Sequence, residues 1–249
     1  MTDASEDPTA TGSSTQKRRL PRGSLDRDLI VSTSLRLLDE RGIAGFNMAA
    51  LGRALGADQS AVYRHFASKQ DLEMAIKERV VAEHLDGLPE QPCWVETLVA
   101  ILRQTRSMGL THPAATTLAA PRTTGRAAER RAVERVFAAL DAAGFSSREA
   151  ALLHRALVDF ALAWSVSDAA IIAMEEEARD ADAAALRSYS VLDPATPHIA
   201  RSAHEIAAVG LDDAFETALA LMMRSVIASA TVQCDHEHSL LPLGAKPDE

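Results

Sequence analysis

Apolar residues recur at helical spacing along most of the chain, and short polar or glycine-containing breaks separate the helices that this pattern predicts. The first predicted helix has Ser24 as its N-cap and ends at Gly42. A second, short helix is capped by Asn47 and ends at Gly56, and Asp58 caps a third. Because a single residue separates Gly56 from Asp58, the second and third helices must cross at a steep angle, as in a helix-turn-helix.

The third predicted helix has few core residues and a polar outer face. Its core anchors are Val62 and Phe66, at positions i and i+4. Its outward-facing residues are Gln59, Ser60, Tyr63 and Arg64. In the major groove of DNA, Gln pairs bidentately with adenine and Arg with guanine. The third helix is therefore predicted to read bases.

The residues that follow suit contacts to DNA phosphates. Tyr63 and His65 carry hydrogen-bond donors for phosphate oxygens. Ser68 and Asp71 form a capping box at the start of a fourth helix, and Lys69 lies at its N-terminus. Free amides, the positive end of the helix dipole and the Lys69 ammonium together predict a phosphate clamp.

A second helical unit begins after Pro89 and Pro92 interrupt the chain. Its predicted helices span residues 94–109, 113–120, 127–143, 147–177 and 211–229. Around residues 193–202, prolines interrupt the chain and no clear pattern appears, so no helix is predicted there. Because no strand-like alternation appears anywhere, the predicted fold class is all-α.

The charge is distributed unevenly along the chain, whose formal net charge is -9. Residues 16–70 hold ten Lys and Arg against five Asp and Glu, whereas residues 71–249 hold 16 against 27. A basic head on an acidic body fits a protein that binds a polyanion through one end. The basic cluster at residues 17–22 either stays solvated or contacts phosphates or a minor groove.

Composition excludes several other classes. Hydrophobic residues make up 47% and charged residues 24%, as in a globular protein. No apolar run reaches the ~20 residues of a membrane helix and no signal sequence is evident, so a cytoplasmic protein without membrane partners is expected. No nucleophile–base pair or phosphate loop supports an enzyme, and we expect no catalytic residues and no cofactor.

Cysteine usage argues against a metal site. Cys93 and Cys234 lie far apart and neither belongs to a CxxC pair, so no disulfide framework or thiolate zinc site is predicted. Cys234, His236 and His238 offer three metal ligands close in sequence, but a fourth is missing. A solvated tail is the favoured interpretation.

The predicted head resembles the DNA-binding domain of the tetracycline-repressor (TetR) family. The resemblance is carried by FNMAALGRALG at 46–56, SAVYRHF at 60–66 and SKQDL at 68–72. It implies that Gln59, Ser60, Tyr63 and Arg64 lie on the recognition helix, and that Asn47, Tyr63, His65 and Lys69 contact the DNA backbone. Ala49 stands where the tetracycline repressor has a base-reading arginine, so the resemblance implies a different operator.

The resemblance continues weakly into the body, through residues 94–98, 110–113, 121–123 and 142–146. It implies a homodimer formed by a four-helix bundle, a small-molecule effector, and double-stranded operator DNA as partner. Two half-sites about one helical turn apart, 34–36 Å, also require paired heads. The implied function is a repressor that its effector releases from DNA; an activator, a ligand-independent regulator, or a helical carrier or enzyme for an apolar molecule are the alternatives.

With the resemblance, the chain divides into four predicted parts. They are a flexible basic arm (1–23), a DNA-binding domain with its connecting helix (24–84), an effector-binding and dimerisation domain (85–232) and a flexible tail (233–249). The predicted effector contacts are Met108, His112, Thr116, Arg122, Phe137, Leu157, Phe160 and Trp164. The spacing of the aromatic residues fits a cavity wall and a filled core equally well.

The effector implied for this chain is an apolar or amphipathic molecule. In the tetracycline repressor, a histidine that binds a metal–tetracycline complex lies a few residues before the segment that resembles 121–123. This chain has Leu118 and Ala119 in that region, and neither side chain can hold Mg²⁺. His112, Thr116 or Arg122 would then orient the effector.

Overall fold

The computed structural model describes residues 25–119, 122–189, 195–235, 238 and 240. Its helices are α1 (Arg27–Gly45), α2 (Met48–Leu55), α3 (Gln59–Tyr63), α4 (Lys69–Val81), α5 (Trp94–Thr111), α6 (Pro113–Ala119), α7 (Ala127–Ala142), α8 (Ser147–Ile172), α9 (Glu176–Ser188), α10 (Pro197–Ala208) and α11 (Leu211–Ser229). A π-helical turn, Ala82–Asp86, continues α4. The all-α prediction is confirmed, and no strand occurs among these residues. The predicted basic arm and most of the predicted tail lie outside them.

Side-chain hydrogen bonds that cap the helices shape the N-terminal head largely as predicted. The Asn47 side chain accepts a hydrogen bond from the Ala50 amide at 2.9 Å, and Asp58 accepts one from the Ser60 amide at 2.8 Å. Gly56 has φ +61°, which places it in the left-handed region that ends α2. The N-cap of α1 is Asp26, whereas the predicted cap, Ser24, lies outside the described residues.

A close approach between α2 and α3 produces the predicted helix-turn-helix. A Cβ atom on Gly52 would lie 3.0 Å from the Ala57 carbonyl oxygen, so a larger residue would force the turn apart. Val62 and Phe66 are almost fully buried against the core of the head. Helix α3 ends at Tyr63, so Arg64 and Phe66, which were predicted to lie in it, follow its last turn. Burial of the two anchors turns the polar residues of this segment outward.

The body is organised around the crossing of α5 and α8. At Gly109 a Cβ atom would lie 1.9 Å from the Ser165 carbonyl oxygen, so the two backbones touch at this point. The prediction that α5 ends at Gly109 was wrong by two residues, because this glycine serves close packing and the helix continues to Thr111. Helix α6 packs on α5 and α8, and also on α1 and α4 of the head.

Two predictions in the second half of the body were wrong. The helix predicted over 147–177 ends at Ile172, and α9 then leaves at an angle of 110°. The break contains neither Gly nor Pro, so the sequence carries no stop signal. Residues 197–208 form a helix although none was predicted: Pro197 occupies its first turn, and Ile199, Ala203 and Ile206 recur at helical spacing, a pattern that the prediction overlooked.

Among the described residues, no single helix is long and apolar enough to cross a membrane. The bent pair α8 and α9 reaches the required length and apolar composition only when the two helices are counted together.

Candidate DNA-binding surface and effector cavity

The outward face of α3 is solvent-exposed and free of acidic residues. Gln59, Ser60, Tyr63 and Arg64 are all exposed, and Tyr63 presents 43% of its surface. Asp58, the acid next to them, is the N-cap, and its hydrogen bonds with Ser60 lower the pKa of its carboxyl. The four residues predicted to face outward, which include the predicted base readers Gln59 and Arg64, are therefore accessible together.

The predicted phosphate contacts lie at two helix N-termini and at the end of α3. Lys69 follows the N-cap Ser68, whose hydroxyl accepts a hydrogen bond from the Asp71 amide at 3.1 Å. Asn47 uses its side-chain oxygen to cap α2, which leaves its NH₂ group as the donor for a phosphate. His65 is half-buried. Its backbone carbonyl accepts a hydrogen bond from the Arg27 side chain, which fixes the position of this residue.

Ion pairs connect the head to the loop between α6 and α7. Arg126 lies 2.5 Å from Asp71, and Arg122 lies 3.4 Å from Glu73. Glu73 also lies 3.5 Å from Lys69, so one largely buried carboxylate faces both a predicted phosphate contact and the body. Charged side chains thus tie the first turn of α4 to the body.

His112 forms a second link at the end of α5. Its Nδ1 atom lies 3.1 Å from Asp39 on α1, and its Nε2 atom lies 3.5 Å from Glu83 in the π-helical turn. His112 is thus placed at the junction of head and body and does not line the cavity described next.

A mainly apolar cavity lies between α4, α5, α6 and α8. Its lining residues are Lys77, Val80, Val81, Met108, Ala115, Thr116, Ala119 and Leu162. It is partly open to solvent, and only about 20 Å³ of its space is far enough from every atom to hold the centre of a water molecule. That space suits roughly one water molecule, so a drug-sized ligand enters only if the walls separate.

Lys77 and Thr116 are the polar residues of this lining. The Lys77 ammonium donates to the Arg122 carbonyl and lies 3.8 Å from Glu129. Burial lowers the pKa of Lys77, and the charge of Glu129 opposes that shift. The Thr116 hydroxyl donates to the Met108 carbonyl at 2.9 Å, so its lone pairs remain for a ligand.

The structure brings together only two of the predicted effector contacts, Met108 and Thr116. Arg122 contacts Glu73 at the junction, and Phe137 stacks on His154 at 5.0 Å.

The three remaining predicted contacts belong to the core or pack against it. Leu157 is fully buried, and Phe160 and Trp164 pack in a cluster with Phe215 of α11. Within the described lining, the predictions missed Lys77 and the small or aliphatic residues around it. The sequence carries no signal for Lys77, because it begins the charged run Lys77-Glu78-Arg79, which is typical of a solvated helix face.

A buried ion pair lies beside this aromatic cluster. Arg106 is 7% exposed at its side chain and Asp168 is fully buried, with 2.6 Å between Arg106 Nε and Asp168 Oδ2. A second carboxylate, Asp212, lies 2.7 Å from Arg106 Nη1 and is largely exposed. The guanidinium also lies 4.6 Å from the centre of the Phe215 ring. This network joins α5, α8 and α11.

Two family models match the chain over most of its length. Residues 30–76 match the model described as bacterial regulatory proteins of the tetR family. Residues 87–228 match the model described as a tetracyclin repressor-like C-terminal domain. The second match begins just after the π-helical turn that ends the connecting helix.

Individual relatives show the same resemblance. An HTH-type transcriptional regulator of Saccharopolyspora erythraea is 29% identical over 182 residues, which cover 72% of this chain and 77% of the relative. The class A tetracycline repressor of transposon 1721, from Escherichia coli, is 26% identical over 201 residues, or 80% and 89% of the two chains. A possible TetR family regulator from Streptomyces coelicolor A3(2) superposes with a TM-score of 0.70 at 26% identity, covering 82% of this chain and 100% of that one. The chain therefore belongs to the TetR family of bacterial regulatory proteins, which are ligand-responsive DNA-binding repressors.

Proposed function

We propose that this chain represses transcription as a homodimer that binds operator DNA through α3 and is released when a small molecule opens the cavity. One observation supports the proposal most strongly. Helix α3 lies directly after a tight turn, and burial of the Val62 and Phe66 side chains directs its exposed, non-acidic face towards solvent. A recognition helix needs this arrangement, because the side chains that contact bases must point away from the protein core.

The connecting helix α4 supports the coupling between cavity and DNA. Its first turn carries Lys69, and its later turns carry Lys77, Val80 and Val81 on the cavity wall. A ligand that widens the cavity pushes against the same helix that holds the phosphate clamp. Movement of α4 would therefore alter the position of the head on DNA.

Chemistry of the lining supports an apolar effector that carries one acceptor group. The walls are mainly aliphatic, and the Lys77 ammonium is the cation among them. A carbonyl or carboxylate oxygen of the effector would replace the Arg122 carbonyl that Lys77 now binds. Since that carbonyl precedes α7 at the junction, releasing it would loosen the contact between head and body.

Two helices support the dimer. Helices α8 and α11 expose Leu152 and Leu221, at 63% and 50%. Ala156 and Ala163 on α8 are also exposed and permit close helix contact. We propose that these faces pair with the same faces of a second copy as a four-helix bundle.

Substitutions at Arg64 and Lys69 should weaken DNA binding in different ways. Arg64→Ala should lower affinity for a selected operator by about 1–3 kcal/mol and relax preference at particular positions, because it removes a base contact. Lys69→Ala should weaken all sequences alike and reduce the salt slope by about one unit. Binding titrations on operator and random duplexes at several salt concentrations measure both effects.

The matched control is Arg36→Ala, because Arg36 is an exposed arginine of the head that pairs with Glu40 on α1. It should leave both affinities unchanged. Equal losses on operator and random DNA for Arg64→Ala would refute its base-reading role.

Tetracycline with Mg²⁺ should not release this protein from its operator. The described lining offers an ammonium and a threonine hydroxyl, whereas Mg²⁺ needs several oxygen ligands and is repelled by Lys77. Titration of the operator complex with tetracycline and Mg²⁺, read by fluorescence anisotropy of labelled DNA, checks this. Release at micromolar tetracycline that a chelator abolishes would contradict the proposed effector class.

A further inference from the structure

Two cysteines and a histidine from distant parts of the chain meet at one end of the body. The Sγ atoms of Cys93 and Cys234 and one ring nitrogen of His238 all lie within 4.8 Å of one another, and each residue is half-buried. Cys93 is the N-cap of α5, whereas the other two follow α11. The sequence alone grouped Cys234 with neighbouring histidines and could not supply Cys93.

Backbone hydrogen bonds hold the segment after α11 in this position. The amides of Thr231 and Val232 both donate to the Ala143 carbonyl at 3.1 Å. The indole nitrogen of Trp94 donates to the Val232 carbonyl, also at 3.1 Å. These backbone and indole contacts bring Cys234 to the start of α5, where its thiol contacts the Cys93 side chain and the backbone of Trp94 and Val95.

We propose that Cys93, Cys234 and His238 bind a thiophilic divalent cation, for which Zn²⁺ is the representative. Two thiolates and an imidazole are the donors that Zn²⁺ prefers, at about 2.3 Å for sulfur and about 2.0–2.1 Å for nitrogen. Donor atoms of such a tetrahedral site lie about 3.5–3.8 Å apart, so the observed cluster needs to contract by at most about one ångström. Water completes the coordination.

Binding of the cation would connect Cys93, the residue just before α5, to the segment after α11. Both thiols must lose their protons, which the cation displaces. A cation that binds only the folded chain also stabilises it by mass action. The site lies outside the proposed DNA-binding surface and the lining of the effector cavity, so its test is independent of the proposed repressor function.

Metal binding is tested on the full-length chain after reduction and removal of bound metal with a chelator. We expect one equivalent of Zn²⁺ per chain, and with Co²⁺ a thiolate-to-metal charge-transfer absorption. Loss of even a supporting partner of a metal ligand weakens binding by about 10–100-fold. We therefore expect Cys93→Ser or Cys234→Ser to weaken Zn²⁺ binding by more than about 100-fold, and His238→Ala to weaken it as well.

Controls separate this site from unspecific binding and from misfolding. His204→Ala, an exposed histidine on α10, should leave Zn²⁺ affinity unchanged. In a Trp164→Phe background the fluorescence of Trp94, which adjoins Cys93, should change on addition of Zn²⁺, while an unchanged circular dichroism spectrum of each variant shows that it has folded. The proposal is overturned if folded Cys93→Ser and Cys234→Ser variants bind Zn²⁺ as the unsubstituted chain does. It is also overturned if the reduced chain binds less than a tenth of an equivalent, or if the two thiols are found only as a disulfide.

Discussion

Asp168→Ala should destabilise the body by about 3–5 kcal/mol, because it leaves the buried Arg106 guanidinium without its closest carboxylate. The remaining partner, Asp212, is largely exposed, and attraction through solvent is weak. For a chain of this size the expected fall in Tm is about 2–4 °C per kcal/mol. Thermal and denaturant unfolding, followed by circular dichroism, measure the loss.

Two further variants isolate the buried charge. Asp212→Ala removes the exposed partner of the same guanidinium and should cost at most about 1 kcal/mol. Replacing both partners, Arg106→Met with Asp168→Leu, should restore much of the stability lost in Asp168→Ala, since no unpaired charge is then buried. Equal losses for Asp168→Ala and Asp212→Ala would show that burial does not strengthen this pair.

Leu221→Arg should convert the proposed dimer to a monomer and lower operator affinity by about 10²–10⁴-fold, the factor that joining two binding heads can supply. Each half-site is then bound by a separate monomer. Binding at one half-site therefore no longer holds a second head close to the other half-site. Leu152→Glu, on the adjoining helix α8, should have the same effect, since both residues belong to the face proposed to pair. Analytical ultracentrifugation gives the mass, and titration of operator DNA gives the affinity.

Leu110→Arg is the matched control, because Leu110 is an exposed leucine on α5 outside that face. It should remain dimeric and bind DNA normally. If both Leu152→Glu and Leu221→Arg sediment as dimers at the concentrations where the unsubstituted chain does, the proposed interface is wrong.

The head could be predicted from the sequence because its structure depends on local signals. Asn47, Gly56 and Asp58 act within one or two turns of their own positions, and the structure places each cap and turn where it was predicted. The exposure of Arg64 then follows from the inward direction of Val62. Short-range hydrogen bonds of this kind leave a recognisable pattern in a single sequence.

The body could be predicted less well because its features depend on distant contacts. Gly109 was interpreted as a helix end, but it lies within the last turn of α5, where its lack of a side chain admits the Ser165 carbonyl. The cavity around Lys77 needs four helices, and periodicity cannot assign a residue such as Phe160 to a cavity or to the core. The meeting of Cys93 with Cys234 likewise depends on how the ends of the body pack.

Selection of bound duplexes from a random DNA pool by the 249-residue chain is the most direct test of α3 as the DNA-reading element. We expect an enriched inverted repeat whose half-sites are separated by about 34–36 Å, one helical turn, because the two α3 helices of the proposed dimer must enter successive major grooves. It also predicts that Arg64→Ala relaxes the motif at the same position in both half-sites. A pool that stays random through repeated rounds at moderate salt would contradict the assignment of α3 as the DNA-reading element.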